Sequence, residues 1–348
     1  MHSKLLAVVA VLAASSLGRA AEGLEKGTPE LKSATTLAFG PKGLLFVGDS
    51  SATTVFAIDT GDAKAGGEKP VNVEKIDAKV AAALGVTEKD VKINDVKVNP
   101  ASGNVYLAVT RGTGAGTPAI VKVSRDGTAE AWSLKDVMFA KVALTGQDKG
   151  KAQSFTSMAF TGGKLFVAGL SSEEFASTLW AVPYPFGEAV KGSGIEIYHG
   201  AHGKLETKSP IRTFTPYKIG KEENIMASYT CTPLVKIPVS ELKAGAKVKG
   251  TTIAELGNGN QPLDMIAYTK DGKDYLLSAN TKYGVIKIPT ADFATAAAIT
   301  AQTGITGPKY EKIVALTGVV QLDKFDDTRA ILLVKTDAGF DLKTVDLP

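Results

Sequence analysis

Three side chains near the middle of the sequence carry the chemistry of a borderline metal ion. They are His199 and His202, in IEIYHGAHGKLE, and Cys231, in ASYTCTPLV. Imidazole nitrogen and thiolate sulfur are ligands of zinc and copper, and a carboxylate such as Glu206 would complete a four-ligand set. On a helix, three-residue spacing would put both imidazoles on one face, but Gly200 and Gly203 argue for a loop. Cys231 is the only cysteine, so no intramolecular disulfide can form and no paired-cysteine metal spacing exists. The plainer account is that loop histidines beside glycines are exposed or bonded to backbone. In the same account a lone cysteine before a strand is a small buried hydrophobe. CxxCH is absent, which excludes covalent haem.

Nucleophilic and nucleotide chemistry find no support. GxSxG, a P-loop and a GxGxxG placed after a strand are all missing. The glycine-rich run GTGAGTPA after Arg111 joins two strands, so it lacks the helix dipole that makes such loops bind phosphate.

The elements that must position these residues come from a repeat. A short apolar strand, a polar turn, a second apolar strand, a variable loop and a third strand recur six times. The copies are anchored at Leu37, Val96, Met158, Phe214, Met265 and Val319, at intervals of 51 to 62 residues. Gly, Asp, Asn and Pro bound the strands, as in hairpin-linked sheets. One such sheet cannot bury both faces alone, whereas six packed radially can. The expected fold is all-β, a single six-bladed β-propeller with short helical inserts. The inserts are Glu74 to Asp90, with Ile76, Val80, Ala83 and Leu84 at helical spacing, and Ala-rich Ala291 to Ala301. Because the chain ends just after a third strand, Glu22 to Leu31 is expected to supply the missing outer strand and close the ring.

In that architecture one face of the channel gathers two sets of loops. Those entering the innermost strands bring Asn94, Asp95, Ser157, Arg212, Gln261 and Asp264. Those after the second strands bring Arg111, Tyr229 and Asn280. Mixed in sign and rich in amides, this collection suits a small polar ligand or a protein partner, although any solvated loop set has a similar composition.

The repeat resembles the NHL and gluconolactonase/regucalcin-like six-bladed propellers over the whole chain past the leader. Metal-dependent lactonases of that group hold a divalent ion in the channel with one Glu, two Asn and one Asp. KINDVKVNPASGNVYLAV places Asn94 and Asp95 at the matching Asn-Asp pair. The resemblance therefore implies, as an alternative function, a hydrolase using Ca²⁺ or a similar ion. The remaining ligands do not follow: Ala34 to Thr36 and Thr156-Ser157 stand where Glu and Asn would be, and Asp264 is one place out of register. Hard cations want several oxygens. No catalytic residue is assigned on this basis.

Residues 1–20 read as a cleavable signal peptide, with Lys4, an apolar run from Leu5 to Ala14, and Gly18 and Ala20 before a cut ahead of Ala21. The run is far short of the roughly 20 residues a spanning helix needs, and Arg19 stands alone, so no twin-arginine signal is present. Residues 21–348 are then one exported domain, periplasmic or secreted, expected to be monomeric and without a membrane anchor. Formal net charge is +4, of which Lys4 and Arg19 supply two. That balance, without a basic stripe interleaved with aromatics, argues against nucleic acid.

Overall fold

The second strand of each repeat carries a short apolar run at its centre, such as LLFV in Leu44–Asp49. A strand reads that way only when both its faces are covered. The computed structural model describes residues 23–146 and 155–348, so the expected signal peptide lies outside the described residues. Within them the six repeats form six antiparallel sheets around one axis: a six-bladed β-propeller. The innermost strands are Thr36–Phe39, Val91–Val98, Ser157–Thr161, Ile211–Ile219, Pro262–Lys270 and Val319–Lys324, in blades 1 to 6. Successive residues of a strand point to opposite faces, so one strand feeds two cores. Leu44 and Phe46 pack with blade 3, while Leu45 and Val47 pack with blade 2. Six such cores, one between each pair of neighbours, hold the ring.

The blades do not follow one another around the axis in chain order. The spatial order is 1, 3, 4, 5, 6, 2, closing back on 1. After the third strand of blade 1, Thr54–Asp59, the chain crosses to the outer edge of blade 6. There Val73 and Leu342 exchange backbone hydrogen bonds, each 2.9 Å. It then forms the helix Ile76–Leu84, with Ile76 and Val80 in the blade 2–blade 6 core and Gly85 as its left-handed cap. Blade 2 follows, and Val137–Thr145 returns to pair with Thr54–Asp59 as the fourth strand of blade 1.

Two expectations are corrected. Glu25–Gly27 pairs with Val137 to Phe139 on blade 1, so the segment around Val73, rather than Glu22 to Leu31, covers the edge of blade 6. Ala291 to Ala301 forms turns, not a helix. Phe293 is buried and Ile299 donates to the Thr252 carbonyl, so tertiary pairing overrides the alanine-rich propensity. No helix among the described residues is long and apolar enough to cross a membrane.

Candidate functional site

Register shifts interrupt the innermost strands of blades 2, 4, 5 and 6 between Ile93 and Asp95, Ile211 and Thr213, Pro262 and Asp264, and Val319 and Gln321. Each leaves one unpaired residue, and such bulges re-aim the next side chain. Asn94, Asp95, Arg212 and Asp264 therefore lie inside strands rather than in entering loops. The residues after the bulges stitch neighbouring blades. Asp95 accepts from Leu37 N–H at 2.7 Å, Asp264 from Leu322 N–H at 3.2 Å, and Gln321 Nε2 donates to the Asn94 carbonyl at 2.6 Å. Two residues further along, Asp323 of blade 6 accepts from Val98 N–H of blade 2 at 2.8 Å.

Lys97 sits among these acids. Its Nζ lies 3.5 Å from Asp95 Oδ1 and 3.6 Å from Asp264 Oδ2. Burial alone would lower the lysine pKa, but Asp264, Asp95 and Asp323 outweigh it and hold the ammonium charged well above the usual lysine range. Burial pushes Asp95 up to about 6, against the pull of Lys97 and helped by the Asp264 charge. Asp323 is likewise raised by burial, with Lys97 opposing. An ammonium stands where a channel cation would bind, and the Asn94 amide is committed to the Ala34 carbonyl and Thr110 Oγ1, both 2.8 Å. The Ca²⁺ set implied by the lactonase resemblance does not fit these residues.

This cluster floors a funnel of about 700 Å³. Ser157, Asp264, Asp323 and Lys97 line its depth, Met158, Phe160, Phe214 and Met265 its wall, and Arg125, Lys324, Asp326 and Asp327 its rim. The turns Pro100 to Gly103 and Phe325 to Asp327 contribute, so it opens where innermost strands turn into second strands. That is the opposite end from the loops singled out by sequence. Of the nine residues in that set, only Ser157 and Asp264 line the funnel. Asp95 lies beneath it, paired to Lys97. Tyr229 and Asn280 are buried, with Asn280 bonded to Asn260 at 3.2 Å. Arg111 is exposed, its Nε on Thr117 Oγ1 at 3.2 Å, and Gln261 is an exposed loop residue. Arg212 has a buried Nε with no hydrogen-bond partner, and no ion pair among the described residues. Lys97 and Asp323 were not singled out by sequence; their signal is alternation, two residues beyond the bulge on the same strand face.

A second cluster lies between blades 3 and 4. His199 ends the strand Ser193–His199, and the tight turn carrying His202 leads into Lys204–Glu206, antiparallel to it. Glu206 accepts from or pairs with both imidazoles, 3.0 Å from His199 Nδ1 and 2.7 Å from His202 Nδ1, and accepts from Ser209 Oγ at 2.6 Å. Burial would raise Glu206, but the bonds from Ser209, His202 and His199 prevail and hold it at about 2. The imidazoles stack with centroids 3.8 Å apart. Cys231 joins them from the turn between the second and third strands of blade 4, at a left-handed φ of 66°. One ligand atom from each of His199, His202 and Cys231 lies within 4.8 Å of the others. Glu255, at the end of the strand Thr251–Glu255, accepts from Gly200 N–H at 2.6 Å through Oε1. A Cβ on Gly200 would come within 3.1 Å of the Glu255 side chain, so glycine permits that approach. The other oxygen, Oε2, is 4.0 Å from His199 Nε2, and neither atom has a hydrogen-bond partner. Both residues are 2% exposed, and each such orphan costs about 1–3 kcal/mol. Cys231 is half-buried in a turn, not packed as a core hydrophobe.

No protein-family profile and no curated protein matches this chain. Among solved structures it is similar to the PQQ-bound form of an aldose sugar dehydrogenase from Streptomyces coelicolor, at 12% identity and TM-score 0.35, over 92% of this chain and 97% of that one. It is also similar to a glucose dehydrogenase, at 11% identity and TM-score 0.39, over 93% and 99%. A streptogramin B lyase stands at 10% and 0.40, over 93% and 97%. The six-bladed assignment rests on the strand pairing of this chain itself.

Proposed function

We propose that the protein is an exported binding propeller that takes a small molecule with a cationic or donor-rich end into the central funnel. The observation that carries this is the charge of the floor beneath apolar walls. Asp95, Asp264 and Asp323 face the single ammonium of Lys97, so the fully ionised floor carries a net −2. Apolar walls with a few convergent polar groups and perturbed acids are the usual make-up of a ligand site. Aromatic faces such as Phe160 and Phe214 attract an ammonium as well as apolar carbon. The floor acids are already engaged by backbone N–H groups of neighbouring blades, which favours binding over proton transfer. The signal-like residues 1–20 support export.

Calorimetry with small primary and quaternary ammonium compounds, against neutral sugars and carboxylates of similar size, tests the reading. Ammonium compounds should bind at least tenfold tighter than the others, and Ala159→Trp, which fills the funnel, should abolish binding. Tighter binding of anions, or binding that survives Ala159→Trp, would overturn it.

A further inference from the structure

We infer that His199, His202 and Cys231 form a zinc-type metal site on the rim between blades 3 and 4, separate from the funnel. The three residues lie on two blades and a turn apart in sequence, yet each brings a ligand atom within 4.8 Å of the others. Glu206 takes Nδ1 of both rings, which orients them and leaves Nε2 on each as the free nitrogen. A carboxylate behind a histidine is the usual second layer of a metal site, fixing the tautomer and raising the basicity of the ligating nitrogen.

A hydrogen-bonded network of two histidines on one glutamate accounts for the Nδ1 atoms only. It leaves His199 Nε2 and Glu255 Oε2 buried, unpartnered and 4.0 Å apart, too far to bond each other. Bonds of about 2.0–2.3 Å in tetrahedral geometry separate ligand atoms by roughly 3.3–3.6 Å. His199, His202 and Cys231 therefore close on an ion by side-chain shifts of about an ångström, with Glu255 Oε2 standing 4.0 Å from His199 Nε2 beside them. The Cys231 thiol gives its proton to solvent and binds as thiolate. Two neutral imidazoles and one thiolate suit a divalent ion, with the Glu255 carboxylate beside His199 to balance the second charge. Imidazole nitrogens and a thiolate with an oxygen in the fourth position are ordinary zinc(II) ligands.

The test uses chelator-stripped protein titrated with Zn²⁺ and, as a spectroscopic probe, Co²⁺. One equivalent of each should bind. The cobalt form should show a thiolate-to-metal charge-transfer band that Cys231→Ser removes. Zinc affinity should fall at least 100-fold in Cys231→Ser and His199→Ala, and about 10–100-fold in Glu206→Gln, the range for second-layer carboxylates. Circular dichroism confirms folding. His202→Ala, at the exposed ligand, repeats the affinity test where burial is least disturbed. Absence of stoichiometric zinc binding overturns the inference. So does binding that Cys231→Ser and His202→Ala leave unchanged, or copper bound at these residues where zinc is not.

Discussion

Asp323 Oδ2 accepts the backbone N–H of Val98 at 2.8 Å, joining the last blade of the chain to the second across 225 residues. The bond crosses the seam where blade 6 meets blade 2. Asp323→Ala leaves the Val98 N–H without its acceptor and should cost about 1–3 kcal/mol in urea unfolding. Asp323→Asn keeps an acceptor and removes a carboxylate that burial disfavours, so it should be close to neutral. Equal losses in the two variants would show that the bond carries no weight.

The same floor gives stability a pH dependence with a definite sign. Asp95 ionises near pH 6 in the folded protein against 3.8 in the unfolded chain, chiefly because it is buried. The folded state thus holds this proton more tightly. Its ionisation penalty is absent below about pH 4, grows between pH 4 and 6, and is complete above 6. Glu206 and Asp326, both held at about 2, act the other way: their stabilisation is present above their ordinary range and lost as pH falls towards 2. Between pH 7 and 5, the wild type should gain about 1 kcal/mol relative to Asp95→Asn, measured by chemical denaturation. Parallel curves would show that Asp95 is not the group that titrates.

Among the described residues Arg212 has no carboxylate partner, and its Nε is buried without a hydrogen bond. Arg212→Met, which keeps the stem, should leave thermal stability unchanged or raise it by up to about 1 kcal/mol. A loss of about 3–5 kcal/mol, the cost of breaking a buried ion pair, would mean that the guanidinium is paired in solution.

Edge closure predicts an order of effects. Val73→Pro removes the N–H that bonds the Leu342 carbonyl and uncovers the edge of blade 6. It should cost about 1–3 kcal/mol. Deleting Gly23 to Gly27 removes a three-residue pairing beyond the fourth strand of blade 1, and the melting temperature should fall less. The reverse order would restore the N-terminal segment as the closing strand.

The blade count was legible because interblade burial gives each second strand a short apolar run at its centre, and these runs repeat at near-constant spacing. The spatial order was not, since a link such as Thr60 to Asp90 leaves no trace of where it crosses. The helix at Ile76 was legible from its own periodicity. The turn at Phe293 was not, because that aromatic is held in the core between blades 4 and 5, against residues such as Tyr217. His199, His202 and Cys231 were legible as ligand types, but only the meeting of blades 3 and 4 brings them together. Glu255 carried no signal, being one acid at the end of an apolar strand. The funnel acids were misplaced because a bulge moves Asp95 and Asp264 from loop to strand without altering composition.

The 1, 3, 4, 5, 6, 2 order bears on how the chain is made. As the chain emerges, blade 1 stays without its fourth strand until Val137 to Thr145 has followed, by which time all of blade 2 is out. Val73 must wait for Leu342 of blade 6 before its backbone is paired. Contacts so distant in sequence make assembly slow. Until blade 6 docks, the flank of blade 2 stays open at the blade 6–blade 2 seam, and that seam is where a chaperone or an aggregating neighbour would first take hold.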